Sequence, residues 1–300
     1  DNMLIKEQLE KEAKLSSLQQ TIAKKILELE DDLADLTIRE LAELSYTSTT
    51  AIIRLCQKLG YDKYSDFKKA YLKEVHYLKN YFQEVDANLP FTKEDPLTRV
   101  CGSIASLYEQ TTKDTLSLVD YSQLIHATML LQKAKIIYVI CIGVGNDIAK
   151  VFADKMLLIG KKVVVIDNFN EQFYQVHENK KDDCFIVITY TGTTTNIRKY
   201  YKYLTKGEAS TILITSVSET YLSSQSDAVL KMTTREKLYS NISSFSSTLS
   251  TMLILDMLYA SYFQKDYDHN LEKKIEIAND YEDARSSISE IMDENNITLK

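Results

Sequence analysis

Two stretches of this chain combine residue types that suit the holding of an anion. One is Thr189-Tyr190-Thr191-Gly192-Thr193-Thr194-Thr195, which follows an apolar run and opens a helix-like segment. Five threonines around one glycine supply hydroxyls and backbone amides without any charge, a nest suited to a phosphate monoester. Plain helix capping by Thr193 to Thr195 is the competing reading. The other stretch is Gly143-Val144-Gly145-Asn146, after Ile136–Ile142 and before a helix. Its glycines let the backbone approach a ligand, and the helix start favours an anion. Such a pair could also serve a dinucleotide, and Asp167 keeps that reading open. The third glycine is missing, however, since Ala149 and Lys150 follow Ile148. A third loop, Ser216-Val217-Ser218-Glu219, is weaker, and Ser218 reads as a helix cap.

Proton-transfer chemistry finds less support. Glu171, His177 and Glu236 are the acid–base candidates near these loops. His177 sits in the polar run His-Glu-Asn-Lys-Lys-Asp-Asp and Glu236 stands beside Lys237, both expected to be solvated. None has a companion acid, so no catalytic residue is assigned. The cysteines Cys56, Cys101, Cys141 and Cys184 show no CxxC spacing and no histidine at metal-ligand distance. They read as free thiols of a reducing compartment, and neither a metal nor a cofactor is expected.

A second kind of chemistry is suggested near the N-terminus. Residues 37–59 have the size of a helix, a tight turn and a second helix. Thr37 with Glu40 forms a capping box, the turn is Ser45-Tyr46-Thr47, and Ser48 caps the second helix. Ile52, Leu55, Cys56 and Leu59 share one face of that helix, with Gly60 at its end. Thr49, Thr50, Arg54, Gln57 and Lys58 then lie on the other face, where hydroxyls and cations can meet bases and phosphates. A plain three-helix bundle with a solvated face would look similar by spacing alone. Charge argues against it. Glu28 to Glu43 holds seven acids and one base, whereas Thr49 to Lys79 holds seven bases and three acids. A basic surface on a chain of net charge −7 is the pattern of a DNA-facing side.

The elements that must position these residues fall into two sets. The two prolines, Pro90 and Pro96, break a helical run between Asn88 and Pro96. Before the break everything has helical periodicity. After it, apolar runs at Ile136–Ile142, Val163–Asp167, Phe185–Tyr190 and Thr211–Ser216, with a weaker fifth at Ala228–Met232, alternate with amphipathic helices. Continuous apolar strands between helices imply a parallel sheet covered on both faces. The reading is therefore an all-α helix-turn-helix domain joined to an α/β domain with a five-stranded parallel, doubly wound sheet. Its boundaries are 1–80 for the helical domain, 81–106 for a linker, 107–263 for the α/β domain and 264–300 for an acidic tail. The stretch 249–263 is apolar all round and is expected in a core or a subunit interface. At 300 residues and 44% hydrophobic content, two globular domains are affordable. No run is apolar enough to cross a membrane, and the polar stretch Asp1 to Glu12 does not read as a secretory signal.

Residues 15–75 resemble the N-terminal domain of the RpiR family of bacterial regulators. Glu40, Leu41, Ala42, Ser48, Arg54, Cys56, Lys58, Leu59, Gly60, Tyr64 and Phe67 carry the resemblance. It implies that Ser48, Thr49, Thr50, Arg54 and Lys58 face DNA. Where the family usually has Gly-Val in the turn, this chain has Tyr46-Thr47, and Ala51 stands where the family usually has Thr. Residues 107–263 resemble the SIS (sugar isomerase) domain, through Gly143–Asp147, Thr189–Thr194 and Thr215-Ser216. That resemblance implies phosphosugar binding by Thr189, Thr191, Gly192, Thr193 and Thr194, helped by Gly145 and Asn146. Gly143, Ser216 and Glu236 complete the expected ligand set. Threonines replace the usual serines of the second loop, and Asn146 replaces the usual serine of the first.

The combined expectation is a cytoplasmic regulator of carbohydrate-metabolism genes, not an enzyme. Its operator affinity is set by a phosphorylated sugar. The expected partners are double-stranded operator DNA and a second copy, or three further copies, of the chain. A phosphosugar isomerase with an accessory helical domain is the alternative.

Overall fold

A computed structural model describes residues 4–10, 15–81, 85–142, 145–217 and 221–281. The N-terminal part is helical: α1 Ile5–Glu10, α2 Ser17–Leu29, a 3-10 helix Glu30–Asp35, α3 Ile38–Leu44, α4 Thr49–Lys58 and α5 Tyr64–Tyr81. Local chemistry starts these helices. Ser16 with Gln19, and Thr37 with Glu40, form reciprocal capping boxes that satisfy otherwise orphaned N–H groups. One buried cluster unites them, including Ile22, Ile26, Leu41, Ile52, Leu55, Phe67 and Tyr71. Burial of each such side chain contributes roughly 1.5–3 kcal/mol. The buried Glu74 carboxylate accepts the N–H groups of Ile5 and Lys6, each at 2.8 Å, and so ties α1 to α5.

Residues 88–96 carry no helix, as the prolines predict. Beyond them come α6 Leu97–Leu118, α7 Tyr121–Lys133, β1 Ile136–Ile140, α8 Gly145–Leu157, β2 Val163–Ile166, α9 Phe169–His177 and β3 Asp183–Thr189. They are followed by α10 Thr195–Leu204, β4 Ser210–Thr215, α11 Tyr221–Ser224, β5 Ala228–Lys231, α12 Phe245–Gln264 and α13 Tyr267–Tyr281.

The five strands make one sheet in the order β2-β1-β3-β4-β5, and every pairing is parallel. All five expected runs are strands, each ending one or two residues before the expected end. Alternate side chains go to opposite faces. Ile137, Val139, Ile186, Ile188, Ile212 and Ile214 pack under α7, α8 and α12. Ile140, Phe185, Val187 and Leu213 pack under α9, α10 and α11. The sheet is thus doubly wound, as its continuous apolar strands require.

The stretch 249–263 lies within α12, whose Ile254, Leu255 and Leu258 are core. Its first turns meet α6 through hydroxyl pairs: Thr111 Oγ1 with Ser246 Oγ at 3.0 Å and Thr115 Oγ1 with Ser250 Oγ at 2.8 Å. All four residues are fully buried, so each hydroxyl finds its partner across the seam.

Candidate functional site

The turn between α3 and α4 is a Schellman motif. Tyr46 N–H donates to the Glu43 carbonyl and Thr47 N–H to the Ala42 carbonyl, at 3.1 and 2.8 Å. This motif needs a left-handed residue, and Tyr46 supplies it at φ +51°. The ends of α4 and α8 close in the same way on Gly60 and Gly160. Ser48 Oγ accepts the Ala51 N–H at 3.2 Å, so that hydroxyl acts as the cap of α4. Ala51, Ile52, Leu55 and Cys56 are buried beneath the helix, while Thr50, Arg54, Gln57 and Lys58 are exposed and Thr49 is half-buried. Burial pushes the Cys56 thiol up to about 11, which keeps it a neutral core group. Lys58 Nζ donates to Gln19 Oε1 at 3.3 Å. Ile53 stands on the exposed face beside Arg54, an apolar side chain that sequence reasoning did not single out. The basic half is smaller than its count. Lys68 Nζ donates to the carbonyls of Ala34 and Leu36, at 2.7 and 3.0 Å, and so serves the end of the 3-10 helix.

The second site is a cleft of about 440 Å3 at the C-terminal ends of the strands. Ligands of open α/β sheets bind in this place. Its lining includes Cys141 and Ile142 after β1, Gly145 and Ile148 of α8, and Thr189, Tyr190, Thr191 and Thr194 around the end of β3. Gly145 has no Cβ to spare: one would lie 3.2 Å from Cys141 Cβ. Cys141 is itself buried, which pushes its thiol up to about 12, and Sγ donates to Asn146 Oδ1 at 3.0 Å. The loop after β3 turns at Gly192, φ +65°, whose N–H donates to Thr189 Oγ1 at 3.2 Å. Thr191 Oγ1 pairs with Thr193 Oγ1 at 2.8 Å and accepts the Thr193 N–H at 3.2 Å. Thr194 is the N-cap residue of α10, and its hydroxyl makes no capping bond.

The opposite wall comes from α12 and the segment before it. Ser244, Ser247, Thr248 and Thr251 line the cleft. Sequence reasoning took this helix only as apolar. Yet these four fall at intervals of three, one and three residues, the spacing of one helix face. Among the described residues no charged side chain lines the cleft.

Of the expected ligand residues, Gly145, Thr189, Thr191 and Thr194 line the cleft. Asn146, Gly192 and Thr193 support that wall through the bonds just given. Ser216 is buried behind it, its N–H 3.3 Å from the Tyr190 carbonyl. Gly143 lies outside the described residues, as do Ser218 and Glu219. Glu236 departs from expectation. Instead of a solvated charge it is 9% exposed, and its carboxylate accepts the N–H groups of Ser246 and Ser247 and the Ser247 hydroxyl. It caps α12, occupying that helix's own anion site. Burial outweighs these three donors and raises its pKa above the ordinary carboxylate value. His177 and Glu171 are exposed on α9, and neither lines the cleft. Asp167 pairs with Lys150 at 3.6 Å on the surface.

Two family models match the chain. The helix-turn-helix domain of the rpiR family covers residues 3–76, and the SIS domain covers residues 130–261. The chain is an rpiR-family helix-turn-helix protein with an SIS domain. This rpiR-family protein is 27% identical to YbbH of Bacillus subtilis, an uncharacterized HTH-type transcriptional regulator. That match covers 77% of the chain and 80% of the relative. An uncharacterized HTH-type transcriptional regulator of Clostridium perfringens is 26% identical over 91% of the chain and 97% of its own length. Among solved structures, Vibrio vulnificus NanR complexed with ManNAc-6P superimposes with a TM-score of 0.57. It is 21% identical, covering 93% of this chain and 99% of NanR. The sugar isomerase domain of an RpiR transcription factor from Sphaerobacter thermophilus gives 0.54, at 14% identity over 60% of this chain and 99% of that domain.

Proposed function

We propose that the chain is a transcription regulator whose helix-turn-helix unit, within residues 1–80, grips operator DNA and whose SIS domain, 107–263, senses a phosphorylated sugar. Residues 81–106 are assigned to the linker between the two, and 264–300 to an acidic tail. The observation that carries the sensing half is a cleft whose polar lining is hydroxyls and helix starts, with no charged side chain among its described lining residues. Neutral donors and the start of α10 suit a phosphate monoester. Aldose–ketose isomerisation needs a base beside the sugar's first carbons. The residue best placed for it in the sequence, Glu236, is committed to capping α12. The cleft therefore supports binding rather than turnover. The names of the relatives agree with a regulator, and NanR, a protein of the same fold, is complexed with such a sugar phosphate.

On the DNA side, Thr49, Thr50, Arg54, Gln57 and Lys58 are assigned to the major groove and its phosphates, with Ser48 fixing the start of α4. Paired half-sites call for a dimer or a tetramer. Operator reading places the protein with the chromosome in the cytoplasm. No helix among the described residues is long and apolar enough to cross a membrane.

Fluorescence anisotropy on duplex DNA from upstream of the chain's own operon, with a panel of phosphosugars, tests both halves. Salt-sensitive binding whose strength changes with one sugar phosphate supports the reading. Turnover of a phosphosugar by the purified chain would overturn the sensing half, and no DNA binding at any salt would overturn the other.

A further inference from the structure

The segment after β5 faces two ways. Toward the cleft it supplies Met232, Leu238 and Ser244. Its backbone is fastened to a cleft residue, because the Tyr190 hydroxyl donates to the Glu236 carbonyl at 2.8 Å and accepts the Glu236 N–H at 3.1 Å. On its other side it holds the chain that leads from the helical unit into α6. Asn88 Nδ2 donates to the Arg235 carbonyl at 3.3 Å, and Asn88 Oδ1 accepts the Lys237 N–H at 2.7 Å. The Asn88 carbonyl accepts the Ile242 N–H at 2.9 Å. Arg235 Nη2 donates to the Val85 carbonyl at 3.2 Å and to Gln110 Oε1 of α6 at 3.0 Å.

Asn88 is 8% exposed and Arg235 4%. Bonds made in so dry a place are stronger, and leaving any one unmade costs more. A stretch that only had to span a gap would have no use for a buried asparagine with both ends of its amide and its carbonyl bonded to one loop. Tyr190 holds that loop on one flank and Asn88 on the other. A ligand that shifts Tyr190 or Leu238 therefore pulls on the residues immediately after the helical unit.

We propose that Asn88, with Arg235, is a positioning residue that couples the cleft wall to the connector of the helix-turn-helix unit, so that occupancy of the cleft is felt as DNA affinity. The coupling rests on the regulator reading above, while the latch itself does not.

Two measurements separate them. The first uses the full chain without ligand or DNA. In Tyr190→Phe, which loses both bonds of the phenol hydroxyl to Glu236, hydrogen exchange of the peptide 85–92 should quicken about tenfold or more. Unchanged exchange there overturns the proposal. The second compares DNA dissociation constants with and without a panel of hexose 6-phosphates and N-acetylhexosamine 6-phosphates. The parent's ratio should lie between about 5 and 150. In Asn88→Ala it should fall toward one, while ligand-free DNA affinity and direct sugar-phosphate affinity each stay within about twofold of the parent. Asn88→Asp keeps the acceptor for Lys237 and loses the donor to Arg235, so its ratio should be intermediate. A ratio unchanged in both variants overturns the proposal, as does loss of all three quantities together with a lowered Tm, which marks a purely structural role. If the parent binds neither DNA nor any member of the panel, the regulator reading fails, and with it the coupling, whereas the exchange measurement still decides whether the latch exists.

Discussion

Replacing Tyr46 by glycine should stabilise the protein. A left-handed conformation costs a residue with a Cβ about 1–2 kcal/mol. Tyr46 holds it at φ +51°. Its side chain is 95% exposed, so removing it gives up no burial. Glycine takes back part of the gain through the extra freedom of the unfolded chain, about 0.4–1 kcal/mol. The net expectation is a gain of about 0.5–1 kcal/mol, or about 2–8 °C in the Tm of a helical unit of this size. Scanning calorimetry of the full chain reads the shift. Hydrogen exchange at Thr47, whose N–H closes the Schellman turn, should slow in parallel. Tyr46→Ala is the control, since it keeps the Cβ and should be near neutral. If alanine raises the Tm as much as glycine, or if glycine lowers it, strain at this turn is not what Tyr46 contributes.

On the DNA side, Arg54→Ala should weaken binding and lower the slope of log affinity against log salt by about one, while sugar-phosphate binding is untouched. An unchanged slope would mean the guanidinium meets no phosphate. Thr191→Val removes one hydroxyl from the nest and should raise the sugar-phosphate Kd about 10- to 100-fold by calorimetric titration, with ligand-free DNA affinity unaltered. Equal affinity would place the phosphate elsewhere. Glu236→Gln should change the pH dependence of stability in one direction. Because burial holds this carboxyl above its ordinary value of 4.5, its share of stability is fully present below that pH. The share is lost as pH rises through the elevated pKa. The Tm of the glutamine variant relative to the parent should therefore climb as pH rises above the ordinary carboxylate value and through the elevated one. A difference that stays flat or reverses would show that the three serine donors outweigh burial.

Much of the fold was legible because it depends on short-range pattern. Period-two alternation is absent from Phe185–Tyr190, which marks a strand buried on both faces. The three-and-four spacing of Ile52, Leu55, Cys56 and Leu59 fixes which side of α4 faces out. The threonine loop was legible too, since it joins a strand to a helix at the place where ligands bind. What stayed hidden depends on partners far along the chain. Nothing near Glu236 announces that its carboxylate is met by Ser246 and Ser247, ten and eleven residues on, so its neighbour Lys237 made it look solvated. The serines and threonines of α12 did carry a helical spacing, but the apolar mass of the same helix masked it. Asn88 looked like a loop residue beside Pro90, and its partners lie about 150 residues away. The positive φ at Tyr46 left a trace only as a departure from the usual glycine.

The neutral lining of the cleft has a consequence for how the two binding steps respond to the cell's ionic state. Salt screens attraction between full charges, and with no cation in its described lining the cleft offers only dipoles and hydroxyls at contact distance, which screening reaches least. Operator binding as proposed above works the other way, because every phosphate that Arg54 or Lys58 would neutralise releases a counterion and is penalised by added salt. Osmotic stress that concentrates the ions around the protein would therefore loosen the proposed hold on DNA while leaving the sugar threshold nearly fixed. A regulator of this build reports metabolite level on a scale that ionic strength does not move, and lets ionic strength alter only how firmly that report is delivered.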